Sequence, residues 1–150
     1  MKRLESFLRG ERFREIFTYG IVGVITTAIN WAVYFLFSRL CALLLGVPVE
    51  NAVLIFLANV IGWLASVAFA FWANKKYVFR SPGWDRPTLR RELPEFAAAR
   101  LFSLGFDTAF MEIAVHLLGM GDAIAKLISN IIVIVLNYFA SKFWIFKKKG

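Results

Sequence analysis

Chemistry that depends on cysteine or histidine is nearly shut out of this chain. Its 150 residues include one cysteine, Cys41, and one histidine, His116. An intrachain disulfide and a Cys/His zinc cluster are therefore excluded, and Cys41 reads as a small apolar packing residue. Acidic residues are also scarce, 10 Asp and Glu against 18 Lys and Arg, which leaves a net charge of +8. There is no Asp-x-Asp metal pair on a soluble domain, no glycine-rich phosphate loop and no Ser/His/Asp set placed to act in water. Enzymatic chemistry is not expected, and no metal or other cofactor is implied. A cleavable signal peptide is not expected either. The first apolar run begins near Ile16, is long enough to span a bilayer, and has no small-x-small site behind it.

What the chain has in excess is apolar side chain. The strict apolar set is 59% of the residues, with 16 phenylalanines, whereas soluble domains reach about 45–50% even with glycine counted. A small soluble globule cannot hide that much apolar surface, so a soluble enzyme and a disordered chain are both excluded. Four segments reach bilayer length: Phe17–Phe37, Ala52–Ala73, Ala97–Leu118 and Ile124–Trp144. About 20 residues each suffice for a hydrocarbon core of about 30 Å. Their runs are continuous rather than alternating, which makes them helices. The expected fold is an all-α membrane protein with four transmembrane helices in one domain over residues 1–150.

Orientation follows from the basic residues. Lys2, Arg3, Arg9, Arg12 and Arg14 precede the first span. Lys75, Lys76, Arg80, Arg86, Arg90, Arg91 and Arg100 lie between the second and third, and Lys142, Lys147, Lys148 and Lys149 close the chain. Of the 18 cations, only Arg39 and Lys126 fall toward the other side. The positive-inside rule places both termini and the central loop in the cytoplasm. The charge thus marks topology and anionic membrane lipid rather than nucleic acid. In the N-terminal tail, Leu4, Phe7, Leu8, Phe13, Ile16 and Phe17 recur at helical spacing among charges. That pattern predicts an amphipathic helix on the membrane surface before span one. Pro82, Gly83, Pro87 and Pro94 predict a loop over Arg80–Phe96, with Trp84 at headgroup level.

The chain also repeats itself. Phe71-Trp-Ala-Asn-Lys-Lys-Tyr-Val-Phe79 ends span two, and Tyr138-Phe-Ala-Ser-Lys-Phe-Trp-Ile-Phe146 ends span four. Lys75 pairs with Lys142, Tyr77 with Trp144 and Phe79 with Phe146. Earlier in each half, Gly23 pairs with Gly105, Thr26 with Thr108 and Asn30 with Glu112. Two duplicated helical hairpins are expected, one over residues 16–80 and one over 96–147, related by an axis along the membrane normal. Each half sets a lysine and aromatics at one cytoplasmic depth, either as an interfacial anchor or as a ligand site. No GxxxG pattern occurs, so no dimer face is assigned.

These residues resemble the GtrA-like family. The resemblance is carried by Tyr19-Gly-Ile-Val-Gly23 with Thr26 and Asn30, and by the aromatic-Lys-aromatic-Phe closures. Asn137-Tyr-Phe-Ala-Ser-Lys-Phe-Trp-Ile-Phe146 matches that family's signature most fully. The first half departs from it, with Ala70 in place of Asn and Tyr77 in place of Trp. The resemblance covers about Arg12 to Lys147. It implies translocation of polyprenyl-phosphate-linked sugars across the cytoplasmic membrane. Related four-helix units are fused to polyprenyl-phosphate glycosyltransferase domains.

Ionisable groups inside spans cost about 2.5–3.5 kcal/mol at the centre on insertion scales, so each needs a reason. Asp107 lies near the middle of span three, with Glu112 and His116 beyond it, and Lys126 enters span four from the outer side. The hairpin is expected to bring Glu112 or His116 to Lys126, as a structural ion pair or as part of a polar path. Asn30, Asn59 and Asn130 are expected to hydrogen-bond between helices or to line a groove for a sugar.

Lipid-linked sugar translocation is the favoured reading. Lys75, Lys142 and Arg100 are the expected phosphate contacts. Tyr77, Trp144, Asn74 and Asn137 are expected to meet the sugar or the first isoprenes, and Asn30, Asp107 and Glu112 to line the path. Four helices are few to enclose a sugar, so a homo-oligomer is expected. The main rival is a non-transporting anchor or scaffold for a membrane glycosyltransferase. A small cation exporter ranks third, because such proteins bind cations with a carboxylate in span one, where this chain has none beyond Glu15.

Overall fold

A computed structural model of the chain describes the backbone of residues 2–146, and the side chains of residues 10–146 except 122 and 123. Among these residues there are four α-helices and no strand: α1 (Lys2–Leu45), α2 (Ala52–Ala73), α3 (Arg86–Glu112) and α4 (Asp122–Phe139). Single π-helical turns continue α2, α3 and α4, over Asn74–Val78, Ile113–Leu117 and Ala140–Ile145. Three stretches are long and apolar enough to cross a membrane: Gly10–Leu45, Ala52–Val78 and Ile124–Ile145. The segment expected as the third span, Ala97–Leu118, is helical through Leu117 but is not among them. Arg100, Asp107 and Glu112 interrupt its apolar run.

Two other expectations change. The amphipathic segment is not a separate element, since α1 runs unbroken through 44 residues. At a rise of about 1.5 Å per residue it is about 66 Å long, twice the thickness of a hydrocarbon core. No proline interrupts it, and the isolated glycines Gly10, Gly20 and Gly23 do not stop a helix once propagated. The side chains of Leu4, Phe7 and Leu8 lie outside the described residues, as do those of Lys2, Arg3 and Arg9. Lys147, Lys148 and Lys149 lie outside them entirely.

The expected loop over Arg80–Phe96 is helical from Arg86 onward. Asp85 caps it, accepting from the Thr88 amide at 3.2 Å and from the Thr88 hydroxyl at 2.8 Å. Pro87 falls in the first turn, where a missing N–H costs nothing. Pro94 lies inside α3, where it deprives the Arg90 carbonyl of its intrahelical donor.

The chain divides into two compact units, Met1–Arg80 and Ser81–Gly150. In the first, α1 packs on α2 through a stripe of small residues. Ala58, Gly62, Ser66 and Ala70 recur every fourth position and are all buried, the small-xxx-small device that lets membrane helices approach. At Gly62 a β-carbon would stand 2.9 Å from the Asn30 carbonyl oxygen, so only glycine fits there. Gly46 ends α1 at φ +64°, and the Val47 amide reaches back to the Ala42 carbonyl at 3.2 Å, a Schellman closure.

The second unit is sewn differently. Ala125, Ser129, Asn137, Ser141 and Ile145 form the buried face of α4 and its π turn, with Ser103 buried on α3. Four of these side chains are polar, whereas Ser66 is the one polar member of the buried face of α2.

Candidate functional site

The duplicated closures share one backbone geometry. In the first unit the Phe79 amide donates to the Asn74 carbonyl at 2.9 Å. In the second, the Phe146 amide donates to the Ser141 carbonyl at 2.9 Å. Both are the wide i→i−5 bonds of π turns, which are frequent at functional positions; the Leu118 amide closes the turn after α3 on the Ile113 carbonyl in the same way, at 3.1 Å. Each closing phenylalanine is buried against a ring of the preceding long helix: Phe79 lies 6.2 Å from Tyr19, and Phe146 5.9 Å from Phe96.

The lysines on these turns differ in access. Lys75 is fully enclosed at 0% exposure. Lys142 is half-buried, with its ammonium 2.9 Å from the Tyr138 hydroxyl and 5.3 Å from that ring's centre. Arg100 stacks over Phe96 at 5.0 Å. Beside Lys75, the Asn74 amide donates to the Ala70 carbonyl at 2.7 Å. Its Oδ1 is buried with no hydrogen-bond partner among the described residues. Asn137 accepts from the Ser103 hydroxyl at 2.8 Å across the α3–α4 seam. Tyr77 and Trp144 are open, at 48% and 74% exposure. Tyr77 meets Trp72 edge-on at 5.3 Å, and Lys76 lies over both rings at 5.2 and 5.3 Å. Of this cluster the sequence reading names Tyr77 as a ligand contact; Trp72 and Lys76 join it, at a spacing of i, i+4 that is visible in the sequence.

One seam length further along α3, the mid-helix charges find partners. Lys126 pairs with Asp107, not with Glu112 or His116. Its ammonium lies 2.6 Å from Asp107 Oδ2, and the Ser129 hydroxyl donates to Asp107 Oδ1 at 2.7 Å. Glu112 turns instead to His116 on its own helix face, at 3.7 Å and largely open. Helical phase explains the difference. Asp107 lies one turn beyond Ser103, so both face the seam, and Lys126 sits three residues before Ser129 on the facing helix.

Among the asparagines, Asn30 reaches across to the Ser66 hydroxyl at 3.5 Å, in the first unit. Asn59 does not bond between helices; its amide returns to the Ile55 carbonyl of its own helix at 2.9 Å. Asn130 is exposed. Among the described residues no group of three His, Cys, Asp or Glu side chains gathers as a metal site.

The arrangement offers two cation-bearing helix ends and a polar seam between α3 and the apolar α4. Comparison with known proteins agrees on its kind. Residues 18–146 match the family model of the GtrA/DPMS transmembrane domain. The chain is 37% identical over 130 residues to the membrane protein YwcD of Bacillus subtilis (strain 168), covering 87% of this chain and 94% of that one. It is 36% identical over 141 residues to the cell wall teichoic acid glycosylation protein GtcA of Listeria monocytogenes serovar 1/2a, covering 93% and 89%. The protein of that name from Listeria innocua is likewise 36% identical, over 139 residues, covering 91% and 88%. No solved structure matches the chain. A membrane protein with several apolar helices, related over nearly its whole length to these proteins, belongs to the GtrA/DPMS transmembrane-domain family.

Proposed function

We propose that this protein moves a polyprenyl-phosphate-linked monosaccharide across the cytoplasmic membrane for glycosylation of a cell-surface polysaccharide. The observation that carries this reading is the polar seam of the second unit. Ser103 with Asn137, and Asp107 with Lys126 and Ser129, line up hydroxyl, amide and charged groups along two facing helices. Such groups are expensive in lipid and mark substrate paths by default. Mutual pairing of Asp107 and Lys126 lowers the cost of burying α3, which supports α3 as a fourth crossing. Both termini and the Arg80–Arg86 connection then face the cytoplasm.

In the second unit Arg100 and Lys142 meet the phosphate in the inner leaflet; in the first, Lys75 is the matching contact. Tyr77, Trp144, Asn74 and Asn137 meet the sugar or the first isoprenes. Asn30, Asp107 and Glu112 serve the crossing while the prenyl tail stays in lipid. The two π-turn closures act as the matched ends of a duplicated unit. Relatives named for teichoic acid glycosylation support a glycopolymer acceptor. A glycosyltransferase that loads the carrier is the natural neighbour, and a homo-oligomer the natural assembly.

The test is translocation of a polyprenyl-phosphate monosaccharide in proteoliposomes, read by enzymatic accessibility of the sugar on each leaflet. Exchange is expected with the intact protein and is lost in the Lys75→Gln/Lys142→Gln pair. Absence of exchange, together with co-purification of a glycosyltransferase, would instead make the protein a scaffold.

A further inference from the structure

The end of the first hairpin presents a cation beside the one it encloses. Lys75 is buried, whereas its neighbour Lys76 is exposed. The Lys76 ammonium stands 5.2 Å from the centre of the Trp72 ring and 5.3 Å from that of Tyr77. Those two rings meet edge-on and are both open. The π turn makes the meeting possible. Residues five apart on an α-helix point about 140° apart. The wider turn over Asn74–Val78 narrows that angle, so that Lys76 and Tyr77 both reach Trp72. Among the described residues no carboxylate pairs with Lys76. The second hairpin keeps the aromatics without this cation. Phe139, Phe143 and Trp144 stand where the first has Trp72, Lys76 and Tyr77, and Phe139 stacks on Phe143 at 5.7 Å.

We propose that Trp72, Lys76 and Tyr77 form a site for the phosphate of a lipid whose head carries hydroxyl groups and no ammonium. Its depth is right for such a head. The apolar stretch Ala52–Val78 ends two residues beyond Lys76, and indole and phenol rings favour the headgroup level. Lys76 brings N–H donors and a positive charge. The rings hold its ammonium by cation–π attraction, so it loses less freedom on meeting a phosphate than an untethered lysine does. The same rings decide against choline and ethanolamine heads. The ammonium of such a head contends with Lys76 for the ring faces and is repelled by it. A glycerol or sugar head brings hydroxyls instead, which pair with indole N–H and phenol O–H groups and leave Lys76 in place. Two membrane lipids share that chemistry: a resident phosphatidylglycerol and a lipid-linked sugar. The cluster lies wholly within the first hairpin, so the site stands or falls apart from the translocation reading.

The test is native mass spectrometry of the full chain in detergent, titrated with phosphatidylglycerol or with phosphatidylcholine of the same acyl chains. The intact protein is expected to retain phosphatidylglycerol in preference. Lys76→Gln is expected to weaken that retention about fivefold, the factor that one lysine near a membrane surface supplies, at an unchanged melting temperature. Lys76→Arg, which keeps the charge and stacks on the rings, is expected to hold the lipid as the intact protein does. Trp72→Leu is expected to weaken retention with Lys76 still present. Arg90→Gln removes an exposed cation outside the cluster and is expected to change nothing. Equal retention of the two lipids by the intact protein would overturn the assignment. So would equal losses in Arg90→Gln and Lys76→Gln, which would mark net charge rather than a site. Polyprenyl-phosphate glucose, added to the protein with phosphatidylglycerol bound, separates the two sources. Displacement that needs Lys76 makes the lipid-linked sugar the occupant, and persistence of phosphatidylglycerol makes it a resident lipid. A protein that binds at this site and translocates nothing would refute transport alone, and normal translocation without this binding would refute the site alone.

Discussion

Lys126 donates to Asp107 across the α3–α4 hairpin at 2.6 Å, and Ser129 completes the carboxylate's shell at 2.7 Å. Removing one partner leaves the other charge uncompensated in the helix pair. Asp107→Asn and Lys126→Met are each expected to destabilise the protein, and the double variant to lose less than their sum. Lys126 is half-open, so the coupling is on the order of 1 kcal/mol. A double-mutant cycle of unfolding in detergent measures it. The swapped pair Asp107→Lys/Lys126→Asp keeps the attraction. If the pair serves the path, the swap folds yet loses translocation; if the pair is purely structural, translocation persists.

Gly62 offers a test of the other seam. A methyl group there meets the Asn30 backbone oxygen at 2.9 Å, and backbone cannot swing away as a side chain does. Gly62→Ala is expected to cost about 1–3 kcal/mol, the range for overpacked sites, and Gly62→Val more. Melting of the detergent-solubilised protein checks both. Gly105→Ala, where a β-carbon meets nothing within 4 Å, serves as the neutral control.

The two paired lysines are not expected to respond alike. Lys75 is enclosed and Lys142 half-buried. Lys142→Gln is expected to leave the melting temperature unchanged while lowering sugar translocation at least tenfold. Lys75→Gln is expected to lower both, because it alters packing as well as charge. Equal melting losses in the two variants would contradict the difference in burial.

Topology is open to a direct measurement. In a Cys41→Ser background, single cysteines at Glu50 and Leu118, both exposed, are expected to react with an impermeant maleimide from outside the cell. A cysteine at Trp84 is expected to react only after the membrane is opened. Leu118 and Trp84 reacting from the same side would mean that α3 does not cross.

Much of this protein can be read without coordinates, and the reason is the bilayer. Composition names the solvent, runs of about 20 apolar residues give the helices, and the placement of cations predicts a topology. The duplicated closures at Lys75 and Lys142 are likewise visible as letters, because a local backbone turn depends on neighbouring residues. Asp85, which accepts from the Thr88 amide and hydroxyl, starts α3 inside what reads as a proline-rich loop. The small-residue stripe Ala58–Gly62–Ser66–Ala70 was also there to be read, at a spacing of four, but only one of its members is glycine.

What only the tertiary structure decided is which side chains meet. The sequence places Asp107, Glu112, His116 and Lys126 in one hairpin, and spacing alone leaves Lys126 a choice of partners. Relative rotation of α3 and α4 makes that choice, turning Asp107 toward Lys126 and Ser129 and sending Glu112 out with His116. The same rotation buries Asn137 on Ser103. Identity and order along the chain determine the helices and their solvent. The angle at which two helices pack determines which of their polar groups become a site, because each residue's direction is defined only against the helix it faces.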